Sequence, residues 1–275
     1  MKLLNGRELA GYIKERQARQ VRALRQAWHV VPKLAIIQTK DDPIINSYVA
    51  LKKRYAEDIL IELEYHLVGQ AEAPEILKRL NNDKTVHGII IQLPLSDPNK
   101  TDALVNAVAP EKDVDALGEA SQFEPATAMS INWLLAAYNI DLRAKNIVII
   151  GKGRLVGAPL EALWRKSGLE PIVLDATTSE AEFLKQVKAA DVIVTGTGSA
   201  GVLASAMIKP NAVVIDAGVA SEAGKLVGDL APDVRERQDL TITPEKGGVG
   251  PLTVCALFDN VIRAARQVAG ADQAA

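Results

Sequence analysis

The heptapeptide Gly151-Lys152-Gly153-Arg154-Leu155-Val156-Gly157 is the most informative part of this 275-residue chain. It follows the apolar run at residues 146–150 and precedes residues 158–166, whose pattern is helical. A buried strand, a glycine turn and a helix start form the phosphate-binding corner of a dinucleotide fold. Glycine lets the backbone approach a pyrophosphate, and the helix N-terminus offers unpaired N–H groups to its charge. The spacing G-x-G-x-x-x-G is one residue longer than the usual fingerprint, so an ordinary strand-to-helix turn stays open as the alternative.

Strands and helices alternate on both sides of this turn. Apolar runs and alternating patterns predict strands at residues 33–38, 61–68, 88–92, 147–150, 171–174, 192–194, 212–216 and 240–243, with a short piece at 225–227. Helical spacing predicts helices at residues 6–28, 44–58, 74–81, 101–108, 129–138, 158–166, 181–189 and 252–268. This alternation predicts an α/β fold of two domains, each with a mostly parallel, covered sheet. We expect an N-terminal α/β domain at residues 1–122, joined by the returning helix 252–275, and a C-terminal Rossmann-like dinucleotide-binding domain at 123–251.

Composition narrows the class of protein. The chain is 48% hydrophobic, but it has no apolar run long enough to span a membrane, and its first residues lack the core of a signal peptide. The net charge of −2, without a basic block, argues against a nucleic-acid partner. A single cysteine, Cys255, and three scattered histidines favour neither a disulfide nor a metal site. We therefore expect a cytoplasmic protein with no membrane, nucleic-acid or metal partner.

Some polar residues of the N-terminal half are placed for chemistry. Tyr48 and Lys52 are four residues apart on one predicted helix, so a ring and an amine project from the same face. Gln92 ends a predicted strand just before a proline, at the edge where open α/β sheets bind ligands. Asp113 and Asp115 share a loop and are able to anchor an amino-pyrimidine-like group through paired hydrogen bonds. For each set, the plain alternative is a solvated helix face, a spare polar group at a strand end, or ordinary loop charge.

Motifs in a fixed order decide among these readings. They are Ser47-Tyr48-Val49-x-x-Lys52, Gly88-Ile89-Ile90-Ile91-Gln92-Leu93-Pro94-Leu95, Pro110-x-Lys112-Asp113-Val114-Asp115 and Gly247-Gly248-Val249-Gly250-Pro251-Leu252-Thr253. Together they resemble the bifunctional methylenetetrahydrofolate dehydrogenase/methenyltetrahydrofolate cyclohydrolases over nearly the whole chain. The N-terminal domain would then be the folate-binding, catalytic one.

The resemblance implies a role for each matching position. Lys52 would be the catalytic lysine, Tyr48 the ring stacked on the folate, Gln92 its hydrogen-bonding neighbour and Asp115 the residue that holds the pterin. The folate would also meet Gly248, Pro251 and Thr253. The nicotinamide cofactor would be bound by Gly151, Lys152, Gly153, Arg154, Leu155, Val156, Gly157, Asp175, Thr195, Gly196, Gly218 and Gly248. The resemblance further implies a folate cleft between the domains, a tetrahydrofolate derivative as substrate, and a homodimer.

The implied chemistry suits so spare a site. Hydride transfer from the bridging methylene to a nicotinamide leaves a delocalised methenyl cation, so that step needs no general acid and depends on placement. Hydrolysis of the cation needs a base to take a proton from water. Lys52 serves as that base only if burial or nearby positive charge lowers its pKa toward neutrality.

The chain departs from the family pattern around the folate. Ala116 follows the second aspartate in place of glycine, and Pro125-Ala126-Thr127-Ala128 replaces Pro-Cys-Thr-Pro. Pro43-Ile44-Ile45 stands in place of Pro-Ala-Ser. We expect these changes to reshape the folate pocket without removing its main polar groups.

The predicted cofactor-binding residues depart further from the family pattern. Lys152 and Gly153 stand where the family commonly has arginine and serine, the groups that usually meet the 2′-phosphate of NADP. Asp175 ends the second strand of the predicted nucleotide domain, where an acidic residue binds a ribose 2′-hydroxyl and repels a 2′-phosphate, and Ala176 cannot donate a hydrogen bond. We therefore expect NADP or NAD as cofactor, with NAD favoured. Pairing of Lys152 or Arg154 with the phosphate leaves NADP open.

Two other readings compete with an active bifunctional enzyme. A divergent family member acting as a folate- or nucleotide-binding or regulatory module is favoured by the altered cofactor loop and opposed by the intact Tyr48, Lys52, Gln92 and Asp115. A dehydrogenase of the shikimate type also uses a lysine, but the motifs at residues 112–115 and 247–253 speak against it.

Overall fold

The computed structural model describes residues 1–218, 220–222 and 225–271. Within them the helices are α1 (Gly6–Ala27), α2 (Pro43–Asp58), α3 (Ala73–Asn82), α4 (Thr101–Val105), α5 (Ala126–Ala137), α6 (Gly157–Lys166), α7 (Glu180–Ala189) and α8 (Val249–Ala269). The strands are β1 (Lys2–Leu3), β2 (Lys33–Gln38), β3 (Glu62–Leu67), β4 (Gly88–Gln92), β5 (Ile147–Ile150), β6 (Ile172–Leu174), β7 (Val192–Thr195), β8 (Val213–Asp216), β9 (Ala220–Glu222), β10 (Lys225–Val227) and β11 (Thr241–Ile242).

The described chain divides into two compact units. The glycine-turn unit comprises Met1–Ala10 and Thr127–Thr253, and the lysine unit comprises Gly11–Ala126 and residues 254–271. Residues 1–10 join the glycine-turn unit because β1 pairs with β11, with Lys2 opposite Thr241. The functional domains predicted at 1–122 with 252–275, and at 123–251, stay a prediction, and residues 272–275 lie outside the described residues.

The larger sheet of the glycine-turn unit is parallel throughout, and β9 and β10 form a separate antiparallel pair. The strands of the larger sheet lie in the order β1-β11-β8-β7-β5-β6. The apolar side chains of β5 and β7 are buried along their whole length, as expected for parallel strands covered on both faces. The chain passes from β5 to β6 on one side and then returns to β7 on the other side of β5. The carboxyl ends of β5 and β7 therefore form a switch point, where open α/β sheets bind their ligands.

The lysine unit repeats this arrangement on a smaller scale. Its parallel sheet has the order β3-β2-β4, and Gln38 at the end of β2 lies opposite Gln92 at the end of β4. Because β3 and β4 flank β2 on opposite sides, these two glutamines mark a second switch point. The α/β class with mostly parallel sheets predicted from the sequence is confirmed.

Among the described residues, differences from the predicted elements lie at element ends, in short strands and in unpredicted 3-10 helices at Pro98–Lys100, Ser205–Met207 and Pro232–Glu236. Helix α8 begins at Val249 rather than at residue 252, so that Pro251 lies in its first turn, where a missing N–H costs nothing. Helix α4 ends at Val105 rather than at residue 108. The strands β1 and β9 are two and three residues long, too short to show a period in the sequence.

Substitution of Gly157 tests the packing of the glycine turn. A Cβ at Gly157 would lie 1.8 Å from the carbonyl oxygen of Gly151, so the backbone itself must shift to admit alanine. We expect Gly157→Ala to lower the free energy of unfolding by about 3 kcal/mol, measured by urea unfolding followed by circular dichroism. Gly11→Ala is the matched control, since no atom lies within 4 Å of a Cβ there, and alanine in helix α1 should stabilise by about 0.5–1 kcal/mol. Equal stability of Gly157→Ala and the wild type would contradict the close approach.

Candidate active site

Helix α2 carries the lysine because a local signal fixes where the helix begins. The Asp42 carboxylate accepts hydrogen bonds from the N–H groups of Ile44, at 2.9 Å, and Ile45, at 3.3 Å, and Pro43 occupies the first helical position. Buried Ile45 and Val49 hold one face of the helix in the core. The start and the register of the helix thereby set the direction of the Lys52 side chain.

Lys52 contacts the end of strand β4. Its Nζ donates to Oε1 of Gln92 at 2.8 Å. The Gln92 Nε2 donates to the carbonyl oxygen of Leu93 at 3.1 Å, which orients the amide so that its oxygen faces the amine. Gln92 is only 8% exposed, so this orientation is held in a largely water-free place.

Burial sets the protonation of Lys52 and Asp115. It lowers the pKa of the Lys52 amine, while the charge of Asp115 acts in the opposite direction. It raises the pKa of the Asp115 carboxyl, while the charge of Lys52 opposes that change. Each group thus makes ionisation of the other less costly. The result is an amine that releases its proton more easily than a surface lysine, beside an acceptor for polar ligand groups.

Tyr48 lies one helical turn before Lys52 and is half-buried. Burial raises the pKa of its hydroxyl, so the ring is a neutral phenol over the ordinary pH range. A neutral aromatic face beside a lysine suits stacking on a flat ligand.

Asp113 builds the loop that presents Asp115. Asp113 is 3% exposed, and its carboxylate accepts from the N–H groups of Gly118, at 2.9 Å, and Leu117, at 3.5 Å. Burial raises the pKa of Asp113 to about 6. Within the same unit, the amide of Asn260 on α8 donates to the carbonyl oxygen of Val114 at 2.9 Å. Asp113 is therefore committed to the loop, in contrast to the expectation that both aspartates anchor a ligand.

The glycine turn brings backbone segments close together at the switch point of its unit. Gly151 has a φ of +97°, and a Cβ there would lie 2.8 Å from the carbonyl oxygen of Gly196. A Cβ on Gly196 would in turn lie 2.6 Å from Cγ1 of Val156. The end of β5, the start of α6 and the end of β7 thus approach as bare backbone. The N–H groups of Gly151 and Gly196 donate within the sheet, to the carbonyl oxygens of Leu174 and Ile150, so what this cradle offers the pyrophosphate of a dinucleotide is close approach to a backbone without side chains.

The end of strand β6 carries an ionised carboxylate. Asp175 accepts from the N–H group of Thr177 at 2.9 Å and from its hydroxyl at 2.6 Å. These bonds, aided by the charge of Lys152, hold the pKa of Asp175 below its usual value. Lys152 is exposed, and its Nζ lies 3.6 Å from Oε2 of Glu161 on α6.

The sequence pattern predicts neither Asp216 nor Asp229, yet both organise the loops around the predicted cofactor residues. The Asp229 carboxylate accepts from the N–H groups of Thr197, at 2.7 Å, and Ser199, at 3.2 Å, and thereby fixes the loop after β7. Asp216 accepts from the hydroxyl of Thr195 at 3.4 Å. The only sequence signal is the position of Asp216 at the end of a strand, since burial of an aspartate cannot be read from periodicity.

Gly218 belongs to the same network. A Cβ there would lie 2.0 Å from Oδ1 of Asp229, and its own N–H donates to Asp216 at 3.2 Å. Asp216 also pairs with Arg235 at 3.0 Å. The glycine is therefore required by the packing of the two aspartates, whichever ligand the loop binds.

The remaining predicted residues are also in the glycine-turn unit. Gly248 is buried, and a Cβ on Gly6 would lie 1.9 Å from its carbonyl oxygen. Pro251 is partly exposed, and the Thr253 hydroxyl donates to the carbonyl oxygen of Val249 at 3.3 Å. Gly153, Arg154 and Leu155 are exposed.

The predicted site residues are divided between the two units, and Gly248, Pro251 and Thr253, which were predicted to meet the folate, lie in the glycine-turn unit rather than in the lysine unit. Tyr48, Lys52, Gln92 and Asp115 come together in the lysine unit, and the predicted cofactor residues surround the switch point of the glycine-turn unit. None of the described helices is long and apolar enough to cross a membrane. Across residues 1–218, 220–222 and 225–271, no group of three or more histidine, cysteine, aspartate or glutamate side chains is arranged to hold a metal ion.

A dinucleotide-type switch point in one unit and a partly buried lysine at a switch point in the other define the class of two-unit, nucleotide-dependent α/β enzymes. Family models agree. The catalytic-domain model of tetrahydrofolate dehydrogenase/cyclohydrolase matches residues 4–115, and the NAD(P)-binding-domain model matches residues 125–269. The chain belongs to the bifunctional tetrahydrofolate dehydrogenase/cyclohydrolase family, which confirms the resemblance seen in the motifs.

Individual relatives match over almost their full length. The bifunctional protein FolD of Lactobacillus delbrueckii subsp. bulgaricus is 38% identical, over 98% of this chain and 99% of that protein. The crystal structure of bifunctional FolD from Campylobacter jejuni superposes with a TM-score of 0.90 at 31% identity, covering 97% of this chain and 99% of that one. The Trypanosoma brucei enzyme, solved with NADP and an inhibitor, has a TM-score of 0.90 at 27% identity, covering 96% of this chain and 97% of that one.

Ala116 offers a test of the loop that presents Asp115. Its φ is +55°, in the left-handed region that disfavours a side chain with a Cβ. We expect Ala116→Gly to raise the free energy of unfolding by about 1 kcal/mol, measured by urea unfolding. Ala23→Gly, at an exposed position inside helix α1, is the control and should lower stability by about 1 kcal/mol. A loss of stability in both variants would refute strain at Ala116.

Proposed function

We propose that the protein oxidises 5,10-methylenetetrahydrofolate to 5,10-methenyltetrahydrofolate with a nicotinamide cofactor and hydrolyses the product to 10-formyltetrahydrofolate. The observation that carries this proposal is Lys52, whose Nζ lies 2.8 Å from Oε1 of Gln92 and whose pKa is lowered by burial. Membership of the bifunctional family and the near full-length match to bifunctional relatives support both activities.

We assign the folate to the lysine group. Tyr48 offers a neutral ring for stacking on the flat pterin, and the Asp115 carboxylate offers acceptors to its amino and ring N–H groups. Asp113 supports this binding indirectly, because it shapes the loop. The altered Ala116 changes the strain of that loop but leaves the Asp115 carboxylate in place.

The oxidation depends on placement. A bound nicotinamide dinucleotide would supply the hydride acceptor, and the glycine cradle at Gly151, Gly157 and Gly196 would hold its pyrophosphate. Loss of hydride from the bridging carbon leaves a cation delocalised over two nitrogens, so no side chain has to donate a proton. The chain contributes by holding the folate in a fixed geometry and by excluding water.

The hydrolysis uses Lys52 as a base. Water adds to the methenyl carbon, and its proton passes to the neutral amine. The hydroxyl on that carbon then loses its proton to water as the carbon–nitrogen bond to N5 breaks and the formyl carbonyl forms. N5 takes up the proton held by Lys52, so that one proton is released overall. The cationic substrate lowers the pKa of Lys52 further, in the direction that burial already sets. Gln92 keeps the amine in place through its oriented oxygen.

Replacement of Lys52 tests the base. We expect Lys52→Met to reduce methenyltetrahydrofolate hydrolysis by at least about 100-fold, measured from the loss of substrate absorbance. In the wild type, activity should rise with pH through the pKa of Lys52, which lies below its ordinary 10.5, because only the neutral amine accepts a proton.

The neighbouring Lys53 supplies the matched control. Its Nζ lies 3.7 Å from the ring centroid of Tyr65, away from Gln92, so Lys53→Met should retain hydrolysis. Wild-type hydrolysis in Lys52→Met would reject the assignment.

For the cofactor, we propose that NAD is preferred over NADP. The ionised Asp175 at the end of β6 suits a ribose 2′-hydroxyl and repels a 2′-phosphate. Ala176 offers no hydrogen bond, and Gly153 offers no hydroxyl. The Trypanosoma brucei relative was solved with NADP, so the preference is proposed from residues of this chain and not from that relative.

Steady-state kinetics with both cofactors test this preference. We expect kcat/KM for NAD to exceed that for NADP at saturating methylenetetrahydrofolate, because the Asp175 charge acts only against the phosphate. A tenfold preference for NADP would reject the proposal.

The alternative of a binding or regulatory module makes a distinct prediction. Such a protein binds folate or nucleotide but turns over neither substrate. A homodimer and a cytoplasmic location stay predictions from the resemblance and the composition, and light scattering on the purified protein tests the first.

A further inference from the structure

The Lys152 side chain, which stands where the family has a phosphate-binding arginine, is engaged by a carboxylate of its own unit. Its Nζ lies 3.6 Å from Oε2 of Glu161. Glu161 sits on α6, the helix that follows the glycine turn, and its side chain is only 18% exposed. The other carboxylate oxygen, Oε1, accepts from Nε of Arg165 at 3.0 Å. Glu161 is therefore a fixed partner rather than a freely moving surface charge.

The charge of Lys152 also reaches a second carboxylate, Asp175. Lys152 contributes to lowering the pKa of Asp175, so its positive charge is felt at the end of β6 as well. Asp175 is itself held by Thr177. Lys152 is thus paired with an anchored carboxylate on α6, and its charge is felt by a second one after β6.

A 2′-phosphate requires an uncommitted cation at this place. A lysine paired with Glu161 is less available to another anion, since a phosphate must first displace it from that carboxylate. A ribose 2′-hydroxyl makes no such demand, since it needs only an acceptor.

We propose that Glu161 is a specificity-determining residue that disfavours NADP by holding Lys152, an inference that rests on the proposed cofactor site. It acts through Lys152 and does not itself touch the cofactor. The preference for NAD would thus be set by a helix residue outside the glycine turn, in addition to Asp175.

Binding of adenosine phosphates tests this inference without turnover. The probes are 2′,5′-ADP, which carries the 2′-phosphate, and AMP, which does not, both titrated by calorimetry at low ionic strength. Glutamine at position 161 keeps the side-chain length and an oxygen for Arg165 but removes the charge. We expect Glu161→Gln to lower the Kd of 2′,5′-ADP about fivefold, which is the effect of a surface ion pair. The Kd of AMP should not change. Added salt should shrink the gain.

A double variant separates action through Lys152 from direct repulsion. In a Lys152→Ala background, Glu161→Gln should bring no gain in 2′,5′-ADP binding. A gain that persists there, or no gain in the single variant, overturns the inference. Failure of both probes to bind overturns it too.

Controls address general charge and the proposed activity. Glu182→Gln removes a similar charge from α7, where Glu182 pairs with Lys185 at 3.2 Å, and should leave both probes unchanged. In turnover assays, Glu161→Gln should lower KM for NADP with little change in kcat. If the wild type binds the probes but oxidises no methylenetetrahydrofolate, the proposed function fails while the assignment of Glu161 stands.

Discussion

Reversal of strand order governs where chemistry is possible in each unit. When the connections from two neighbouring parallel strands leave in opposite directions, neither connection covers the strand ends between them. β2 and β4 create this opening in the lysine unit, and β5 and β7 create it in the glycine-turn unit. Gln92 and Gly151 each lie at such an end. The order of the strands therefore places the predicted functional residues at these openings.

At the opening between β2 and β4, burial is what suits Lys52 to act as a base. An ammonium on the surface keeps its proton at neutral pH, whereas Lys52 is placed where desolvation disfavours its charge. Gln92 and Asp115 keep the side chain from becoming an unpaired polar group in that setting. The same environment therefore both stabilises the lysine in the fold and makes it reactive.

The sequence predicts those features that depend on local chemistry. The glycine turn, the strand that ends at Gln92, and the helix that carries Tyr48 and Lys52 all follow from short patterns. Other features do not follow from short patterns. They are the hydrogen bonds of Asp113 to its own loop, the burial of Asp216 and Asp229, and the contact of Lys152 with Glu161. Each depends on which segments meet in three dimensions, and an aspartate in a loop looks the same in sequence whether its hydrogen bonds go to water or to backbone. The left-handed backbone of Ala116 was hidden for the same reason, because alanine gives no signal for such a conformation.

Strand β1 ties the beginning of the chain to a late segment. The N–H groups of Lys2 and Leu4 donate to the carbonyl oxygens of Leu240, at 2.9 Å, and Ile242, at 2.8 Å. During synthesis, β11 is therefore made more than two hundred residues after β1. Residues 11–126, which belong to the other unit, are made in between. Such distant pairing slows folding, because the entropy cost of closing the long loop comes before the stabilising contact forms. Residues 11–126 of the lysine unit are thus placed to begin folding first, but each unit depends on a late segment, β11 for the glycine-turn sheet and residues 254–271 for the lysine unit.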